Sequence, residues 1–281
     1  MLEMAETAAP NKRTIGDIRR SMLAPKSYRA ALSILRCFPN PLDVISRYAF
    51  EAGSYPCAIP IRTPIGMRRV VMNSFHDVRS LIVCFAKEDY GVEPGIRCAV
   101  DFGSNIGMSA LYFLTRNPGV KAYLFEPLPK NVERLQENLR GLERRYVLHQ
   151  SAIGLADGVA QFAYEPTGRY GGIEDSLDPH EEIDRPYTLK VATLCAATCL
   201  RRIIEQEKFI DVLKVNIEGL ETQVLRSLPP DVLGNIGLIC AEIFDFPGEI
   251  AGFRKEKYGS NITRFTNLRT IDHRAAKNRA A

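Results

Sequence analysis

The stretch Val100-Asp101-Phe102-Gly103-Ser104-Asn105-Ile106-Gly107 limits the fold more than any other part of the chain. A short apolar run, Cys98 to Phe102, enters a glycine-bearing turn. A helical segment follows from Ile106 to about Arg116 and stops at Asn117-Pro118-Gly119. The pattern then repeats. Lys121 to Phe125 is a second apolar run, followed by a helix from Pro129 to Arg140 closed by Gly141. Tyr146 to Ile153 reads as a third strand ending at Gly154. Strands alternating with helices across short loops predict a parallel sheet. Residues 159–193 interrupt the alternation, with Val159–Tyr164 and Tyr187–Thr193 reading as strands around a polar insert, and then it resumes. Leu194–Gln206 is helical and Val212–Ile217 a strand. Glu218–Ser227 is a helix stopped by Pro229-Pro230, and Ile236–Ile243 is a last buried strand. The expected fold class is α/β, with a doubly wound, mostly parallel sheet.

Four segments are expected. Residues 1–26 form a basic N-terminus. Residues 27–95 form a small α/β cap with short helices around Pro39-Asn40-Pro41, a hairpin of 57–63 and 67–73 turning at Pro64–Gly66, and a helix over 75–87. Residues 96–250 form the α/β domain, and 251–281 a basic tail. The 38 residues after Ile243 look too short and too polar for a closing hairpin on the sheet. The net charge of +4 is unevenly spread. Residues 1–50 hold eight Lys/Arg against four Asp/Glu, and 251–281 hold eight against two, so the body is acidic. The basic ends lack the aromatic interleaving of a base-stacking surface, so no nucleic-acid partner is expected. They read as solvated arms or weak docking elements for anionic lipid or polysaccharide. The seven Cys are odd in number and lack zinc-knuckle spacing, which suggests a reducing compartment. With no signal peptide or apolar span of about 18 residues, the expected location is the cytoplasm. Asn261-Ile-Thr263, formally a glycosylation sequon, then reads as chance.

In a doubly wound sheet the turn after the first strand lies at the carboxyl edge, where ligands bind. Gly103 allows close backbone approach, and Gly107 allows the helix to pack against the sheet. The second strand ends in Glu126-Pro127, and an acid about 20 residues beyond the glycine turn suits a ribose hydroxyl. The turn and the acid predict a nucleoside ligand. NAD sites use G-x-G-x-x-G with the pyrophosphate at a helix N-terminus; this chain reads D-x-G-x-x-x-G. Asp101 would oppose a diphosphate and suits the ammonium group of S-adenosylmethionine, so the pattern favours a methyl donor over a dinucleotide. Asp101-Phe102-Gly103 also spells a kinase triplet, but no glycine-rich loop, strand lysine or catalytic-loop set precedes it. Ser104, Asn105 and Ser151, the last in the third strand, complete the expected cofactor set.

Two further strand ends carry polar groups. Leu213-Lys214-Val215-Asn216-Ile217-Glu218-Gly219-Leu220-Glu221 delivers Asn216 to the same edge. Glu218 then opens the next helix, either as a functional acid or as a simple cap, and Glu221 faces solvent. Glu242 follows the apolar run Ile236–Ala241, and a carboxylate there is costly unless it faces a cleft or a partner. Asp245 reads as a loop acid. Cys195 and Cys199, four apart, share a helix face but make an incomplete metal site, so no metal is expected. His149 reads as structural. His180 lies in the insert 165–186, where it could approach an acceptor.

Together, Val100–Gly107, Phe125-Glu126-Pro127, Lys214–Glu221 and Glu242 resemble, in order and spacing, the FkbM family of S-adenosylmethionine-dependent methyltransferases. The lead-in Arg62–Gly66 and Tyr90 are also similar. The resemblance covers about residues 57–245. It implies a class I methyltransferase (Rossmann-like) fold and O-methylation of sugar hydroxyls or polyketide-type products. The family's motif Asp is Asn216 here, and its Leu-Asp is Leu194-Cys195. Asn cannot act as a base, so Glu218 and Glu242 are the expected catalytic carboxylates, with Asn216 orienting donor or acceptor. A protein that binds the donor without transferring methyl is the rival reading.

Overall fold

A computed structural model describes residues 32–177, 183–243, 246–258 and 262–270. Residues 1–26, His180, Asp245, Asn261 and the segment beyond Thr270 lie outside the described residues, so the expectations for them have no structural counterpart here.

In the cap, helical residues 32–37 precede helix α1 (Pro41–Phe50) and a hairpin of β1 (Cys57–Thr63) and β2 (Gly66–Met72), paired from Cys57↔Met72 to Thr63↔Gly66. Helix α2 (Phe75–Leu81) follows. Ser74 and Asp77 form a reciprocal capping box at its start. At Ile82 the helix widens into a π-turn through Ala86, where Lys87 N–H donates to the Ile82 carbonyl.

The main sheet then builds from β3 (Cys98–Phe102), β4 (Lys121–Phe125), β5 (Tyr146–His149), β10 (Ile210–Val215), β11 (Ile236–Ala241), β12 (Phe253–Tyr258) and β13 (Ile262–Asn267). Among the described residues its order is β12-β13-β11-β10-β3-β4-β5. The pairs β11–β10, β10–β3, β3–β4 and β4–β5 are parallel, whereas β13 runs antiparallel to β11 and β12. Strand β3 is buried along its whole length, which is why it reads as an unbroken apolar run. Helices α3 (Met108–Leu114) and α4 (Pro129–Asn138) are the crossovers after β3 and β4. All seven residues of α3 are buried because the cap covers its outer side. Tyr112 meets Phe85 edge-on at 5.6 Å, and Tyr90 lies 5.4 Å from Phe113. Asn138 ties α4 to the cap by accepting from Val71 N–H at 2.7 Å.

Several expectations need correction. The third strand is not continuous to Ile153. Ser151 N–H donates to the His149 carbonyl two residues back, a tight turn that ends β5. The chain then enters a second sheet of β6 (Ala152–Gly154), β7 (Gly158–Tyr164), β8 (Gly171–Ile173) and β9 (Tyr187–Cys195), ordered β6-β9-β7-β8. Helix α5 (Ala196–Glu207) starts after Cys195, so Cys195 and Cys199 do not share a helix face. Helix α6 (Glu221–Ser227) starts three residues later than expected, because Glu218 takes a left-handed φ of 51° and Gly219 one of 99°. The short α7 (Pro230–Leu233) follows. The tail beginning at 251 is corrected for Phe253–Tyr258 and Ile262–Asn267, which pair as the closing strands. Ile262, Thr263, Phe265 and Asn267 are buried in β13 against β11, a tertiary burial that offsets the polar character of the segment.

Candidate functional site

The carboxyl ends of β3, β4, β10 and β11 deliver Gly103, Glu126, Asn216 and Glu242 to one edge of the sheet. Two hollows open there. The first lies between the main sheet and the second sheet, with Asn105, Glu126, Pro127 and Ser151 in its wall. The second lies between the sheet edge and the cap, with Ser104, Lys214 and Glu242 in its wall. Gly103, Asn105, Arg169, Asn216 and Glu218 line both. They form the boundary at which the hollows meet.

The turn after β3 is shaped by its sequence. Gly103 adopts φ 78°, and a β-carbon there would overlap the backbone carbonyl oxygen of Asn216. Strands β3 and β10 can therefore approach at their ends only with glycine at 103. Gly107, at φ 87°, places α3 against Leu135 of α4, where a β-carbon would sit 3.0 Å from Leu135 Cγ. Gly107 supports the turn from behind and does not face either hollow. Asn105 tolerates a left-handed φ of 48°, and its N–H donates to Glu126 Oε2 at 2.8 Å. Gly103→Ala is expected to cost about 2–4 kcal/mol, from a left-handed alanine and the forced backbone shift. Urea denaturation of the purified variant measures it, and a midpoint equal to wild type would contradict the close approach.

Glu126 is 4% exposed and accepts from Asn105 N–H, Leu128 N–H at 3.1 Å and Asn131 Nδ2 at 3.2 Å. Burial pushes its carboxyl up to about 7, against the opposing pull of those donors. Beside it in the first hollow, Ser151 Oγ and Asn131 Oδ1 are buried without a hydrogen-bond partner among the described residues. Such orphaned polar atoms are rare and need an explanation. Phe125 forms part of the same wall and stacks on His149 at 4.8 Å, which gives that histidine a packing role.

Asp101 corrects a sequence expectation. It is fully buried, forms an ion pair with Lys214 Nζ at 3.0 Å and accepts from Ser109 Oγ at 2.6 Å. Its carboxylate is engaged by Lys214 and Ser109 and is not in the wall of either hollow. Lys214 lies opposite Asp101 in the β10–β3 register and also donates to the Gly103 carbonyl at 2.5 Å. The pair thus holds the glycine turn from beneath. Glu221 is also corrected. It is buried, and it accepts from Ile217 N–H at 2.8 Å and Gly219 N–H at 3.1 Å, taking the capping role expected of Glu218.

Asn216 Nδ2 donates to Glu242 Oε2, fixing one carboxylate oxygen and leaving Oε1 open. Glu242 stands in the wall of the second hollow, reached by water along the cleft and crowded by protein on its other sides. That crowding raises its carboxyl above the ordinary value; the nearby Lys214 and Arg169 cations oppose the rise.

Spacing did not reveal the strap over residues 165–170. Glu165 organises it by accepting from Thr167 N–H and Arg169 N–H, both at 2.6 Å. Gly168 presents its carbonyl to Asn131 Nδ2 at 2.7 Å and to Asn105 Nδ2 at 3.2 Å. Asn131 was the readable signal: it is a polar residue on the buried face of α4, in step with Val132, Leu135 and Asn138. Among the described residues, no group of three or more His, Cys, Asp or Glu could hold a metal ion. No described helix is long and apolar enough to cross a membrane.

The sheet order with its antiparallel closing hairpin, the glycine turn after the first strand and the acid ending the second define a class I methyltransferase fold. The chain belongs to the methyltransferase FkbM domain family, whose model matches residues 101–273. It is 26% identical over 171 residues to Methyltransferase 1 of Beauveria bassiana, covering 54% of this chain and 66% of that protein. It is 27% identical over 187 residues to the AMB antimetabolite synthetase AmbE of Pseudomonas aeruginosa, covering 55% of this chain and 9% of that one. The chain thus spans just under two thirds of one curated relative and a small part of the other. Among solved structures, methyltransferase FkbM from Methylobacillus flagellatus aligns with 13% identity and a TM-score of 0.34, over 68% of this chain and 54% of that one.

Proposed function

We propose that the chain is an S-adenosylmethionine-dependent O-methyltransferase acting on a sugar hydroxyl. The reading rests chiefly on the meeting of two hollows at Gly103 and Asn216, one with a nucleoside-binding acid and the other with a held carboxylate. The first hollow fits the donor. Glu126 offers its carboxylate to ribose hydroxyls, and the orphaned Ser151 Oγ and Asn131 Oδ1 offer partners for further polar groups. Gly103, Ser104, Asn105 and Pro127 shape the turn and wall around it, and Asp101 acts only through Lys214. When bound, S-adenosylmethionine supplies a methyl group on a sulfonium, already activated for transfer.

The chain's own residues then have three tasks. Gly103 and Asn216 keep the boundary narrow so that acceptor and donor meet in line. Asn216 holds Glu242 Oε2, and Glu242 Oε1 takes the proton from the acceptor hydroxyl. Glu218, at the same boundary, is the second candidate for contact with the acceptor. The seven free thiols suit a reducing compartment such as the cytoplasm.

Incubation with labelled donor and a panel of acceptors tests the reading. Methylated sugar supports it, while product only with polyketide-type acceptors favours the alternative that the family resemblance implies. No product in any lane, with donor bound, leaves the non-catalytic reading standing. Calorimetry with S-adenosylhomocysteine and NADH checks the donor class, and tighter NADH binding would overturn the assignment. Ribose hydroxyls donating to Glu126 favour its ionised form, and its free carboxyl titrates near 7. S-adenosylhomocysteine binding near that pH is therefore expected to release protons, measured in buffers of different ionisation enthalpy, and Glu126→Gln should abolish the release. Unchanged release in that variant would count against the ribose role.

A further inference from the structure

The wall of the second hollow holds both acids and cations, with exposed cations on the cap side. Glu242 stands at the sheet edge with Arg169 of the strap nearby, while Arg79 and Lys87 of the cap helix line the cap side of the same cleft. The π-turn at Ile82–Ala86 resets the helix phase, so that Ser80, Val83, Cys84 and Lys87 all reach this wall. Arg79 and Lys87 are exposed, and Arg169 is half-buried. None of the three forms an ion pair with a carboxylate among the described residues. Of the acids on the cap side of the wall, Asp77 accepts from Asn73 N–H and Ser74 N–H, and Asp89 is buried with a partner of its own.

Arg169 is also held in place. Its backbone N–H is bound by Glu165, its Nη1 donates to the His76 carbonyl at 3.2 Å, and its guanidinium lies 4.9 Å from the Tyr170 ring centroid. A guanidinium anchored through one nitrogen keeps further N–H donors in a fixed fork, the geometry that matches an oxyanion. Lys87 Nζ sits 5.8 Å from the Tyr48 ring, which gives it a preferred position without neutralising it.

We infer that the acceptor carries an oxyanion, a phosphate or a carboxylate, held by Lys87 and Arg79 on the cap side and by Arg169 between them and the sheet edge, while its hydroxyl reaches Glu242. The cap-side cations and the Glu242 carboxylate set the direction of entry. An acceptor inserted the wrong way round would place its anion beside the Glu242 carboxylate. This inference deepens the proposed function and rests on reading the second hollow as the acceptor site.

Calorimetry at low ionic strength tests it on the full chain, with and without S-adenosylhomocysteine. The probes are inorganic pyrophosphate for the phosphate source, malonate for the carboxylate source and glucose as the uncharged control. At least one oxyanion is expected to bind saturably, and the tighter of the two identifies the source. Arg169→Gln is expected to weaken it about tenfold, the loss of one charge-assisted bond. The exposed double variant Arg79→Gln/Lys87→Gln, which leaves the core untouched, is expected to weaken it by at least as much. Failure of both oxyanions to saturate, or wild-type binding in the double variant, overturns the inference. Absence of S-adenosylhomocysteine binding would instead overturn the proposed donor, since the anion titration of the ligand-free protein is read separately.

Discussion

Glu242→Gln is expected to lower kcat by about 10²–10⁴, the usual contribution of a positioned general base, while S-adenosylhomocysteine binding stays within about twofold of wild type. Glutamine keeps the shape and can still meet Asn216, so the variant removes the base and little else. Only an ionised carboxylate takes a proton. Because crowding raises the Glu242 carboxyl, activity should fall as the pH drops through a value above the ordinary glutamate range and should recover on the alkaline side. Arg169 and Lys214 oppose the rise, so Arg169→Gln should move this acid limb to higher pH. Single-turnover rates across pH check both points. Near-wild-type turnover in Glu242→Gln would shift the base to Glu218 or to solvent.

Lys214→Met is expected to destabilise the fold by about 3–5 kcal/mol, the cost of breaking a buried ion pair from one side. Lys214 and Asp101 side chains are 5% and 0% exposed, so water cannot take over either charge. The variant also strips the Gly103 carbonyl of its Nζ donor. Lys214→Met/Asp101→Asn removes both charges and should regain much of the loss, as replacing both members of a buried pair is far milder than deleting one. Urea midpoints of the two variants decide the matter. A double variant less stable than the single one would show that Asp101 does not depend on Lys214 for its charge.

The glycine turn, Glu126, Asn216 and Glu242 were legible because central parallel strands are buried on both sides. Each reads as an apolar run, and the polar residue that ends it marks the ligand-binding edge. The same logic misplaced Asp101. It sits two residues before the turn, and the β10–β3 register sets it beside Lys214, also two residues before its own strand-end polar group. Only the pairing of two distant strands shows that these charges satisfy each other. The strap escaped notice because its architecture is a set of carbonyls and N–H groups gathered by Glu165, and no side-chain spacing encodes them. The break after His149 follows from one backbone bond, which leaves no periodic trace. The π-turn likewise hides inside a helical apolar pattern that continues on either side of it.

The closing hairpin was missed for a different reason. Among the described residues strand β12 pairs with β13 alone, and its sequence Phe253-Arg-Lys-Glu-Lys-Tyr258 is mostly charged. Lys255 Nζ bends back to the carbonyls of Phe246 at 2.9 Å and Gly248 at 3.0 Å. A sheet that stopped at an apolar strand would offer its free backbone edge to any neighbouring chain. Here the last strand carries alternating cations and an acid, so another molecule adding itself there would have to bury or repel those charges. The charges of β12 therefore weigh against edge-to-edge pairing on that side of the sheet.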